Sequence, residues 1–171
     1  MITNEALERV RGWFAGRLPQ DWQDSPAGIS IDRDEIVVTL HLPDVEPGQS
    51  QAETDEVRAG RASAFREDTR EQRMAIAGEA QRRYERTVSW GVRIGDHEQL
   101  FTHVASPTMT RLRQPQRQVL DTLVDAGVAR SRSDALAWCV RLVAQHEDDW
   151  LTELREAMTQ VADVRTKGPQ A

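Results

Sequence analysis

Guanidinium groups dominate the reactive side chains of this sequence: 21 of its 22 basic residues are Arg, leaving Lys167 alone. Such a bias fits a GC-rich genome as well as it fits selection for chemistry, so placement decides more than number. Phosphate binding needs a positive field at the contact surface, and the chain as a whole carries a formal charge of −6. That charge is uneven. Residues 107–145 hold six Arg (111, 113, 117, 130, 132 and 141) against Asp121, Asp125 and Asp134, a local excess of three positive charges. Residues 1–106 hold 13 Arg against 19 acids, and residues 146–171 three basic residues against six acidic ones. Within the basic segment, Arg111 and Arg113 flank Leu112, and Ser131, Arg132 and Ser133 stand together.

Other chemistries find less support. His41, His97, His103 and His146 are scattered, without metal-ligand spacing. Cys139 lies among Leu136, Val140 and Val143, which reads as core and excludes a disulfide framework or a thiolate cage. Gly91 and Gly95 in WGVRIGD lack the strand-to-helix setting of a phosphate loop and read as hairpin residues. With no nucleophile–base set, distinct carboxylate pair or cofactor loop, the chain is not expected to be an enzyme or to carry a metal or cofactor. The five Trp read as core or interface anchors, since no Arg-flanked aromatic stripe collects them. No apolar run approaches the ~20 residues that span a bilayer. The N-terminus has acids where a signal peptide has basic residues, so no export is implied and the cytoplasm is the expected compartment.

The elements that would position these groups follow from periodicity. Leu7, Val10, Phe14 and Leu18 predict a helix over 4–17, with Thr3 as N-cap and Pro19 as its end. Ile29 and Ile31, the turn 32–34 and the run 36–42 predict a β-hairpin, and 88–94, Gly95-Asp96 and 100–104 predict a second. Between them, 55–86 reads as a long helix broken near Gly60; eight Arg and eight acids between Glu53 and Arg86 give it an ion-paired, solvated face. The expected fold class is therefore α+β: N-terminal helices with two hairpins forming an antiparallel sheet, followed by a C-terminal ribbon-helix-helix dimerisation unit and a terminal helix. The boundaries are 1–106, 107–145 and 146–171, with a helix over 149–160 and a frayed tail from Arg165.

Each junction in the middle segment has a mechanism. Pro115 suits the first turn of a helix, Val119, Leu120 and Leu123 make its buried stripe, and Gly127 permits the left-handed stop. Ser131 or Ser133 can cap the next helix, and Ser131 with Asp134 has capping-box spacing. That second helix, starting near Arg132, is apolar around more of its circumference than one neighbour can cover. Residues 108–114 read either as a short strand or as a helix capped by Ser106 and broken by Pro115.

This pattern resembles the ribbon-helix-helix family, the Arc and methionine-repressor type, over about residues 108–144 and best over 123–143. The resemblance implies an intertwined homodimer whose paired strands enter the DNA major groove, with the second helix's N-terminus at a phosphate. On that basis Arg111, Arg113 and Met109 face the bases, where Arg to guanine is the commonest specific contact. Ser131, Arg132 and Ser133 sit at the phosphate. Leu112, Leu120, Leu123, Leu136, Cys139, Val140 and Val143 form the dimer core. Gln114 and Thr110 depart from the pattern, which leaves the strand less secure than the helices. The implied function is a dimeric, repressor-like transcriptional regulator whose partner is double-stranded DNA, with a ligand or protein partner at the N-terminal domain. The alternative is an interaction or scaffold module that uses the same unit only to dimerise, as the overall acidity permits.

Overall fold

The computed structural model describes residues 4–22 and 25–167. The chain divides into two compact units, Met1–Ser106 and Pro107–Ala171.

The first unit opens with α1 (Asn4–Arg17), which buries Val10 and Phe14 one turn apart. Thr3, the expected cap of this helix, lies outside the described residues. A short 3-10 turn (Gln20–Trp22) then leads to β1 (Ser25–Ile31) and β2 (Glu35–Leu42). Asp32 makes the turn between these strands: its Oδ1 accepts from the N–H groups of Asp34 and Glu35, both at 2.8 Å, the local bonding that suits Asp to turns. Along β2 every second side chain is buried, the period of a pleated strand. Two helices follow, α2 (Gln51–Asp68) and α3 (Arg70–Tyr84), then β3 (Thr87–Ile94) and β4 (His97–Leu100).

The four strands form one sheet in the order β1-β2-β3-β4. β1 with β2, and β3 with β4, are antiparallel, whereas β2 and β3 run parallel from Glu35 opposite Thr87 to Leu42 opposite Ile94. The expected antiparallel sheet is thus corrected to a mixed one, with helices set between its strands. Parallel neighbours need a long crossover, and α2 with α3 supplies it. Phe14, Ile36, Val38, Leu40, Ile76, Val92 and Ile94 are fully buried, and Trp90 meets both Phe14 and Trp22 edge to face.

Two expected boundaries also move. The helical stretch breaks at Thr69 instead of Gly60, which sits inside α2 with open space around it. At that break Thr69 Oγ1 donates to the Phe65 carbonyl and accepts from Arg73 Nε, while Arg73 also donates to the Arg66 carbonyl. A side-chain network therefore fixes the kink. β4 spans His97–Leu100, earlier than the expected 100–104. Gly95, at φ +55°, permits a two-residue turn that brings Ile94 opposite His97.

The second unit contains α4 (Gln114–Asp125), α5 (Arg132–His146) and α6 (Asp148–Lys167). Residues 108–113 are neither strand nor helix, so the expected arrangement of hairpins followed by a strand-bearing unit does not describe this chain. Among the described residues no neighbouring strand takes the segment's backbone bonds. The helical alternative fails because Arg113 is extended (φ −79°, ψ 166°) and Gln116 Oε1 accepts from its N–H at 2.9 Å, so the helix opens only there. α6 runs on through Arg165 to Lys167, past the expected end at Gln160; the rest of the expected tail, 168–171, lies outside the described residues. Among the described residues no helix is long and apolar enough to cross a membrane.

Candidate nucleic-acid interface

Three local devices hold α4 and α5 in place. Pro115 occupies the first turn of α4, where its missing N–H costs nothing. Gly127, at φ +72°, ends the helix: its N–H reaches the Val124 carbonyl at 3.0 Å and the Val128 N–H the Leu123 carbonyl at 2.9 Å, the paired bonds of a Schellman stop. Ser131 caps α5, its Oγ accepting from the Asp134 N–H at 3.2 Å, and Asp134 Oδ2 accepts in turn from the Arg130 N–H at 3.0 Å. The Ser131 half of the expected capping box is present, while Asp134 accepts from the N–H of Arg130, the residue before the cap, instead of from Ser131.

The two helices close on a small core of Leu120, Ala129 and Ala135, with Leu112, Leu123, Val124, Leu136 and Cys139 packed half-buried against it. Of the residues assigned to a dimer core, Leu120 is buried and Leu112, Leu123, Leu136 and Cys139 are half-buried. Val140 and Val143 remain 63% and 50% exposed, and Val119, expected in the buried stripe of α4, is also exposed. α6 adds Trp150, Leu154, Met158, Val161 and Val164, all exposed. One chain leaves these apolar side chains uncovered on α5 and α6.

Arg111, Arg113 and Met109 are exposed and lie on the segment that leads into α4. No acid partners either guanidinium among the described residues. Arg117 Nη1 donates to the Leu112 carbonyl at 2.7 Å, tying that segment back to α4. Ser131 and Ser133 are exposed at the start of α5. Arg132 is differently placed, since its Nε and Nη2 donate to Asp121 Oδ1 and Oδ2 at 2.6 and 2.7 Å. This guanidinium holds the Asp121 carboxyl below the usual carboxylate range. The anchoring roles of Arg117 and Asp121 carry no periodic or capping signal, because the Asp121–Arg132 pair spans 11 residues and a turn. No group of three or more His, Cys, Asp or Glu among the described residues is placed to hold a metal ion.

Residues 8–100 match the family described as Rv1265-like protein, N-terminal domain, and residues 113–165 match the Mb1296 C-terminal domain. The chain belongs to the Rv1265-like family. It is 60% identical over 158 residues to uncharacterized protein Rv1265 of Mycobacterium tuberculosis and, to the same extent, to uncharacterized protein Mb1296 of Mycobacterium bovis, covering 92% of this chain and 69% of each relative. No solved structure matches the chain.

Proposed function

We propose that this protein is a dimeric, non-enzymatic DNA-binding protein of the cytoplasm that acts as a transcriptional regulator. Arg111 and Arg113 read base edges in the major groove. The observation that carries this reading is the exposure of these two guanidiniums, without a carboxylate partner among the described residues, in 107–145, the one of the three segments 1–106, 107–145 and 146–171 with a net positive charge. A free guanidinium offers the planar fork of donors that matches guanine O6 and N7.

In the dimer, segments 109–113 of the two chains pair with one another and enter the groove together, as the likeness to ribbon-helix-helix proteins implies. Val140 and Val143 join the half-buried Leu136 and Cys139 in the contact between chains. Arg132, held by Asp121, stiffens the start of α5, and phosphate contact falls to Ser131, Ser133 and the neighbouring backbone N–H groups. The acidic first unit takes a ligand or a protein partner. A Debye length of about 10 Å lets its charge and that of a basic reading surface act independently when they are well separated.

Fluorescence anisotropy with a labelled duplex pool, read alongside the solution mass, tests the reading. Binding by a dimer that weakens steeply with salt supports it. A dimer that ignores DNA at low salt replaces it with the interaction-module alternative.

A further inference from the structure

A second basic site lies in the first unit, in a cleft of about 740 Å3 between α1, the end of β1 and the end of α3. Its apolar part is made by Val10, Ile31 and the ring of Trp13, which meets Tyr84 edge to face at 5.9 Å. Three guanidiniums, those of Arg9, Arg83 and Arg86, also line it, against the single carboxylate of Glu5. The cleft thus carries two excess positive charges in a segment, 1–106, where acids outnumber Arg by 19 to 13.

The three arginines are held in different ways. Arg86 is anchored by neutral groups: its Nε donates to the Asp32 carbonyl at 2.7 Å and its Nη1 to the Tyr84 carbonyl at 3.0 Å. Its position is fixed without a carboxylate hydrogen bond, and the Asp32 carboxylate lies close enough to feel its charge. Arg83 lies over the Tyr84 ring, 5.8 Å from the centroid. Arg9 pairs with Glu5 one turn earlier on α1. Gly12 leaves one wall without a side chain, and a Cβ built there meets nothing within 4 Å.

We infer that this cleft binds a mononucleotide-class ligand, an aromatic ring system carrying a phosphate monoester. The volume lies in the ordinary range of about 300–1,000 Å3 for small-molecule sites, and an apolar wall with a few converging polar groups is their usual lining. A phosphate monoester carries about −1.5 to −2 charges at neutral pH, which matches the excess of the lining. Arg83 and Arg86 take the phosphate, and the base lies against Trp13 and Val10.

The test is isothermal titration calorimetry of the full chain with the four ribonucleoside monophosphates, and separately with a nucleoside and with inorganic phosphate. At least one nucleotide binds saturably, while nucleoside and phosphate alone bind about tenfold more weakly or worse. Arg83→Glu weakens the nucleotide by about tenfold or more, since it reverses a charge-assisted contact. Gly12→Leu fills the open wall without altering charge and abolishes binding, and its circular dichroism and melting curve report that the fold is intact. Absence of saturable binding by every nucleotide overturns the inference. So does equal binding of inorganic phosphate, or full nucleotide binding by a folded Gly12→Leu variant.

Discussion

Arg132 and Asp121 form a bidentate ion pair across the turn between α4 and α5, with Nε to Oδ1 at 2.6 Å and Nη2 to Oδ2 at 2.7 Å. The pair joins the first turn of α5 to the middle of α4. It also neutralises one of the six Arg that make the segment basic, leaving Arg111, Arg113, Arg117, Arg130 and Arg141 outside the ion pair.

The pair gives the helix unit a defined acid sensitivity. The folded Asp121 carboxyl titrates below its unfolded value because Arg132 hydrogen-bonds its charged form. Its contribution to stability is therefore complete above the ordinary carboxylate range and disappears as pH falls through the lowered value. Asp121→Asn is expected to melt below the parent chain at neutral pH, and the gap closes on acidification. Thermal melts by circular dichroism between neutral and acid pH measure it; equal melting at neutral pH contradicts the role given to the pair.

In the proposed reading, Arg111 and Arg113 carry the specificity. Replacing either with Ala is expected to cost about 1–3 kcal/mol on the preferred duplex and to relax base preference at one position. Arg132→Ala, whose charge is already paired, is expected to leave base preference unchanged. Binding titrations on the selected duplex and on single-base variants distinguish these effects, and unchanged affinity in both the Arg111→Ala and Arg113→Ala variants would end the direct-readout claim.

The proposed dimerisation rests on side chains that one chain leaves exposed. Val140 is 63% exposed on α5, so Val140→Glu leaves the helix pair's own core intact and places a charge in the proposed contact, where an unpaired buried charge is strongly unfavourable. Light scattering with size-exclusion chromatography is expected to show a folded monomer in place of a dimer. An unaltered dimer removes α5 from the interface. Leu136→Asp makes a harsher comparison, because Leu136 is already half-buried against Leu120 and Ala135, so it is expected to yield a monomer or an unfolded chain.

In the first unit, Phe14 is fully buried and packs edge to face on both Trp13 and Trp90. Phe14→Ala is expected to lose about 3–5 kcal/mol of that unit's stability through lost transfer energy and the cavity left behind. Denaturant unfolding measures the loss. A loss within experimental error contradicts the central position given to this ring.

Sequence alone reveals what local chemistry encodes. The stop at Gly127, the cap at Ser131, the first-turn Pro115 and the turn at Asp32 all act within a few residues, and each sits where its mechanism puts it. Pairing between β2 and β3 joins Glu35 to Thr87 across two helices, and alternation of side chains is the same whichever strand lies alongside. The break at Thr69 depends on Arg73 folding back onto Arg66 and Thr69, a tertiary preference that helix periodicity does not register. Residues 108–113 lack a partner strand among the described residues, so their conformation is not decided by their own pattern. At the candidate site the exposure of Arg111 and Arg113 follows from their polarity, whereas the commitment of Arg132 to Asp121 required knowing where the turn places α5 against α4.

The central proposal, that this protein reads DNA as a dimer, is tested most directly by incubating the purified chain with a pool of random duplexes at low and at moderate salt and sequencing what is retained. The account predicts an enriched motif with two-fold symmetry, matching the symmetry of the dimer, and retention that falls steeply as salt rises. No enrichment and no retention at low salt would contradict it and leave the C-terminal unit as a protein-interaction element.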